Sequence, residues 1–283
     1  MRGYGQAGRG YVRSFTTHPI HNFIMAFLKP ALSLVAASTA ILTSAFGLAP
    51  SAQAYRVFFG EDLNNSATRP LLSTPNANNA EASFLSNLVG VGTETFEGLS
   101  SGTTGPLGLT FPGAGTATLT GPGRVASSIP GRTNGAGRYA VSGSRFWEVN
   151  ANGSFTINFS APVAAFGFHG VDLGDFGGQL VLNLTGGGTQ SVMVPNTIGS
   201  SGSTDGSVLF FGLIAESLAE TFSSISFAMT IGEGDVFAFD NMTVGSLKQV
   251  KPPAESTPEP IAIAGLLAVG ALGVRSLRWR TQG

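Results

Sequence analysis

S-F-T-I-N-F-S-A-P-V-A-A-F-G-F-H-G, residues 154–170, decides the fold. Phe155, Ile157 and Phe159 recur with a period of two, and so do Phe166 and Phe168. That is the period of a strand with one buried face, because successive side chains in an extended chain point to opposite sides. Leu180, Leu182 and Leu184 repeat the pattern further on. Working outward, strands are predicted at 55–59, 93–99, 107–111, 116–120, 138–141, 146–149, 154–159, 163–170, 179–184, 190–194, 207–213, 224–230 and 236–244. Gly- or Pro-rich turns separate them at roughly ten-residue spacing, the mark of a sandwich or barrel. Asn79 to Val89 reads as one short helix, with Asn78 or Asn79 as N-cap and Phe84, Leu85, Leu88 and Val89 on one face. Ile214 to Phe222 allows a helical turn between strands. The expected fold is all-β: a jelly-roll-like β-sandwich with one short N-terminal helix and a hydrophobic C-terminal helix.

Composition agrees. The 283 residues include 40 Gly and 21 Phe, with only 11% charged. So much Phe in regular alternation is core material rather than a disordered chain. Residues 1–54 carry four basic residues and no acid, whereas 55–257 carry eight basic residues against fifteen acidic ones. An acidic domain lacks the cations that neutralise phosphates, so nucleic acid is not an expected partner. There is no cysteine, which excludes disulfides and thiolate metal sites. His169 is the sole histidine after residue 54, which excludes a histidine-rich metal centre.

The two ends read as targeting. Lys29, the Ala-rich apolar run 31–48, and the A-x-A of Ala52 and Ala54 predict signal-peptide cleavage before Tyr55. Residues 1–24 are either an overlong basic n-region or sequence ahead of a start at Met25. Gly3 to Gly8 matches G-x-G-x-x-G, but no strand precedes it, so it is a chance match. At the other end, Pro258-Glu259-Pro260 precedes an uncharged run, 261–274, and then Arg275, Arg278 and Arg280. As a helix that run covers about 21 Å, short of a bilayer core of about 30 Å, and it reaches across with local thinning while the arginines snorkel. The expected organisation is an extension and signal peptide at 1–54, a lead-in with a helix at 55–92, a sandwich at 93–246, a linker at 247–257 and a tail at 258–283 (basic end 275–280).

Pro-Glu-Pro, an apolar segment and a basic end together resemble the bacterial PEP-CTERM sorting signal. The stretches T-E-T-F-E-G-L (93–99), 166–180, L-F-F-G-L (209–213) and F-A-F-D-N-M-T-V-G (237–245) resemble the jelly-roll domains found ahead of such tails. The resemblance implies export, a membrane-anchored precursor at the inner membrane, cutting by an exosortase-like enzyme, and delivery to the envelope or outside. It leaves the role of the exported domain undefined; with no catalytic motif in the chain, the expectation is a non-enzymatic protein associated with exopolysaccharide or biofilm.

For chemistry, Glu94 and Glu97 lie on the first clear strand and Asp240 on the last, and terminal strands of jelly rolls pair antiparallel. In the carbohydrate-binding jelly rolls this layout resembles, such a pair helps to hold a structural Ca²⁺; otherwise these acids cap turns. Asp172 and Asp175 share an acidic turn that either holds a cation or forms Asx-turns. Trp147 and Tyr139 suggest a sugar-stacking platform, against the alternative of core aromatics. A glycosidase would need two carboxyls flanking a cleft, and Asp172, Asp175, Glu148 and Asp240 offer pairs that no motif selects. His169 reads as a packed strand residue, and no G-x-S-x-G elbow accompanies it. The expectation is a domain that binds glycan or merely occupies the envelope, with a glycan hydrolase or a calcium-stabilised structural domain as alternatives.

Overall fold

A computed structural model describes residues 55–150, 155–173, 178–195, 205–229 and 236–252. The signal residues Ala52 and Ala54, Asp175, and the whole tail with Pro258, Glu259, Pro260, Arg275, Arg278 and Arg280 lie outside them. Alternation becomes thirteen strands among the described residues: β1 (Arg56–Asp62), β2 (Gly92–Glu94), β3 (Leu107–Phe111), β4 (Gly115–Thr120), β5 (Gly123–Ser127), β6 (Arg145–Asn150) and β7 (Thr156–Val163), then β8 (Ala165–Val171), β9 (Gly178–Leu184), β10 (Thr189–Met193), β11 (Val208–Ile214), β12 (Phe222–Met229) and β13 (Val236–Gly245). One sheet runs β1–β11–β8–β13–β6–β5, with β2 added on β13; the other runs β10–β9–β12–β7–β4–β3. Every pairing is antiparallel, and β7 to β13 pass back and forth between the sheets, so the fold is a jelly-roll-like β-sandwich.

The apolar faces read from the sequence meet between the sheets. Phe239 is central: its ring lies 4.9 Å from Phe168, 5.8 Å from Phe155 and 5.9 Å from Phe227, centroid to centroid. These are the offset and edge-on arrangements that aromatic quadrupoles favour. β8 and β11 are buried along their whole length, because a second apolar layer covers the outside of their sheet. That layer is the helix α1 (Pro75–Ser86), which turns Ala77, Ala80 and Phe84 inward. Phe84 can sit down on the sheet because Gly167 and Gly212 are register partners beneath it, each with Phe84 atoms less than 3.0 Å from where a Cβ would stand.

Several expectations shift. The helix begins at Pro75, not Asn79, and ends at Ser86. Its cap comes from a distant residue: the Asp62 carboxylate accepts the N–H of Asn76 and Ala77, satisfying donors that a helix start leaves open. Residues 138–141 are not a strand, since their N–H groups go to side chains: Ala140 donates to Ser128 Oγ and Val141 to Asp240. The neighbour of β6 at that edge of the sheet is β5. The 93–99 strand stops at Glu94, where Phe96 turns to φ +60° and donates its N–H to Glu94 Oε1 at 2.6 Å. The expected turn in 214–222 is a 3-10 turn at Leu218–Glu220.

Candidate functional site

The early and late acids do come together, through a loop rather than side by side on strands. β2 pairs with β13, Glu94 opposite Met242. The register slips between Asp240 and Thr243, and Asn241 adopts φ +48°. Asp240 is fully buried, and its Oδ2 accepts the N–H of Val141 (2.9 Å) and Ser142 (3.1 Å) while Oδ1 accepts that of Asn241. Burial pushes its carboxyl up to about 7, with the nearby Glu97 charge adding to the rise and the three N–H groups opposing it. Glu97 holds the other end of the same loop, accepting the N–H of Ser144 (2.7 Å) and Arg145 (2.5 Å). Against a desolvation that would raise it, those N–H groups and the Arg145 charge keep the exposed Glu97 below the usual carboxylate range. Glu94 stays local, capping the Phe96 turn.

Calcium seeks six to eight oxygens. The carboxylates of Asp240 and Glu97 are joined at this loop by Asn241 Oδ1, which accepts the Ser142 hydroxyl at 2.6 Å. No group of three His, Asp or Glu side chains gathers among the described residues. An ion here would need the carbonyl oxygens of the 141–145 loop in addition.

The other candidates are placed as follows. Asp172 adopts φ +67°, donates its N–H to Ser207 and accepts Arg138 Nη1 at 3.4 Å. Glu148 is enclosed by donors from Arg124, Arg138 and Asn134. Trp147 is fully buried between the sheets against Phe96, with Gly123 so close that a Cβ there would stand 2.5 Å from the indole. Tyr139 is buried in the outer layer; its hydroxyl donates to Gly206 O and accepts the Leu71 N–H. Neither ring offers a face to a sugar, so the stacking platform is corrected to two core aromatics. His169 is buried opposite Asp240, edge-on to Phe210, with Nδ1 4.0 Å from Glu81 Oε1. Burial lowers it to about 4.

What the sequence reading passed over is the other side of the sandwich. The outward positions of the six-stranded sheet form rungs across the strands. One runs Thr189, Asn183, Ser224, Asn158, Thr118 and Gly108; the next runs Ser191, Val181, Ser226, Thr156 and Thr120. None of the six strands contains a charged residue, and their aromatic side chains all point into the core. Asn183 Nδ2 donates to Ser224 Oγ at 2.7 Å, and Thr156 and Ser226 hydroxyls lie 3.1 Å apart. Helix α1 lies against β1, β8 and β11 of the opposite sheet, so among the described residues this face is left open. The available signal was the polar phase of the alternation: Thr116, Thr118 and Thr120 in one strand, Thr156, Asn158 and Ser160 in another.

No protein-family model matches the chain, and no curated relative does. Among solved structures it is similar to a xylan-binding domain from CBM 22, at 16% identity, covering 57% of this chain and 98% of that one, with a TM-score of 0.33. It is similar also to the CBM22-1 xylan-binding domain of Paenibacillus barcinonensis Xyn10C, at 12% identity, 58% and 96% coverage and a TM-score of 0.33. A family 11 carbohydrate-binding module of a Clostridium thermocellum cellulosomal cellulase shares 11% identity over 59% of this chain and 99% of that one, with a TM-score of 0.28. At such distances none of them assigns a ligand to this chain.

Proposed function

We propose that this chain is an exported, non-enzymatic envelope or matrix protein that binds neutral polysaccharide on the open face of its six-stranded sheet. The observation that carries this reading is that face: rungs of hydroxyl and amide groups, interrupted only by Gly108 and Val181, with no charge among them. A neutral glycan presents hydroxyls that both donate and accept, and Ser, Thr and Asn side chains match that inventory. Binding there strips water from no ion, so the cost that opposes charged contacts is not incurred. Weak contacts repeated along a polymer then add up to retention. Delivery follows the two ends: signal cleavage before Tyr55, a tail held at the inner membrane, and cutting near Pro258-Glu259-Pro260 by an exosortase-like enzyme. The site of action is the envelope or the extracellular matrix, in association with exopolysaccharide or biofilm.

Affinity electrophoresis through gels containing neutral polysaccharides tests the face. The expected result is retardation of the native chain and its loss in Thr118→Glu/Ser226→Glu, with the melting temperature unchanged. Retardation that survives both charges would overturn the assignment. Release of reducing ends, abolished by Glu148→Gln, would instead establish the hydrolase alternative.

The convergence of Glu97 and Asp240 on one loop favours a second, compatible reading. A Ca²⁺ ion held by these carboxylates, Asn241 and loop carbonyls would stabilise the domain without contributing to glycan contact.

A further inference from the structure

On the side of the molecule away from the polar face, two loops meet at a groove of about 310 Å³. One carries Arg69-Pro70-Leu71-Leu72 ahead of α1; the other carries Ile129-Pro130-Gly131-Arg132 between β5 and β6. Both loops set a proline-stiffened aliphatic side chain within three residues of an arginine. Leu72 is 98% exposed and Ile129 67%, the two most exposed large aliphatic positions among the described residues but for Leu218. Neither aliphatic belongs to the core clusters, and neither Arg69 nor Arg132 has a side-chain hydrogen bond or ion pair among the described residues. No acid lines the groove. The acids beside it are engaged: Glu97, against Gly143, accepts the Ser144 and Arg145 N–H groups, and the buried Asp240 accepts the Val141 N–H. In an otherwise acidic domain, free arginines beside protruding aliphatics are a local reversal of charge.

From this geometry we infer a membrane-docking edge: Leu72 and Ile129 enter the interface of an anionic bilayer while Arg69 and Arg132 meet its headgroups. Exposed apolar tips gain by burial in the acyl boundary, and each arginine near an anionic surface adds attraction that salt weakens. The tips rise from the layer outside the seven-stranded sheet, so docking there leaves the six-stranded face turned away from the bilayer and open to polymer. The inference does not depend on glycan binding.

The chain has no cysteine, so single-cysteine variants accept one label each. Leu72→Cys and Ile129→Cys in the full chain would carry an environment-sensitive fluorophore, with Met193→Cys on β10 as the control, an exposed residue of the opposite sheet. On phosphatidylglycerol vesicles the emission at 72 and 129 should rise about threefold and shift to the blue, with little change at 193. Arg69→Glu/Arg132→Glu should raise the lipid concentration for half the response about tenfold. An equal response at 193 would mean tethering through another segment and would overturn the docking edge. So would no response at any position, or an equal response on neutral phosphatidylcholine vesicles. None of these outcomes bears on retention by polysaccharide gels.

Discussion

His169 and Asp240 are register partners on the outer side of the seven-stranded sheet, and burial acts on them in opposite directions. For His169 it disfavours the imidazolium, so the folded value of about 4 lies below the ordinary 6.5. Between those values the unfolded chain binds more protons than the native one, and stability falls as pH is lowered. Asp240 has the reverse sign: its folded value of about 7 lies above 3.8, so stability falls as pH rises through that window. Glu81, raised by burial, faces the imidazole from α1. Comparing the native chain with His169→Leu at each pH isolates the histidine. Urea unfolding from pH 7 to pH 4 should show the variant gaining about 3 kcal/mol relative to the native chain. A difference that stays flat with pH would show that the imidazole is not held neutral. His169 was legible in the sequence as a packed strand residue; its neighbours were not, because Asp240 and Glu81 come from elements far along the chain.

At the scale of elements, α1 depends on a gap in the sheet beneath it. A Cβ on Gly212 would stand 2.7 Å from Phe84 and 2.9 Å from Phe210, so the helix or the rings must move. Gly212→Ala should destabilise by about 1–3 kcal/mol, the usual cost of overpacking. Thermal melting should show that loss, and Phe84→Leu in the same chain should recover part of it. Recovery would show that the clash with Phe84, rather than strand propensity, sets the cost. The helix itself was legible, but its start was misplaced. The sequence pointed to Asn78 or Asn79 as the cap, whereas Asp62 supplies the carboxylate from β1. Likewise 138–141 has a strand's composition, yet its N–H groups are claimed by Ser128 and Asp240. Local pattern carries no record of such distant acceptors.

At the scale of the whole molecule, Glu97 and Asp240 tie the last strand and the segment after β2 to one loop. If Ca²⁺ joins them, a ligand that binds only the native state must raise its melting temperature. Melting in EDTA and then with calcium restored should show a rise in the native chain and none in Asp240→Ala. No rise in the native chain would leave the loop held by its N–H bonds alone. The sequence by itself determined the sandwich, because a period of two with Phe and Leu on one phase leaves a strand only one way to bury its apolar face. That β8 and β11 are covered on both sides was decided by the tertiary structure, where helix α1 and its neighbours form a second apolar layer. Only the tertiary structure decided which polar phase remains open. Helix α1 and the 128–143 loop cover one sheet, so the Thr, Ser and Asn rungs of the other are left facing outward. It also withdrew Trp147 and Tyr139 from the surface, because the sheet pairing and the outer layer, not residue type, set which aromatic rings are enclosed.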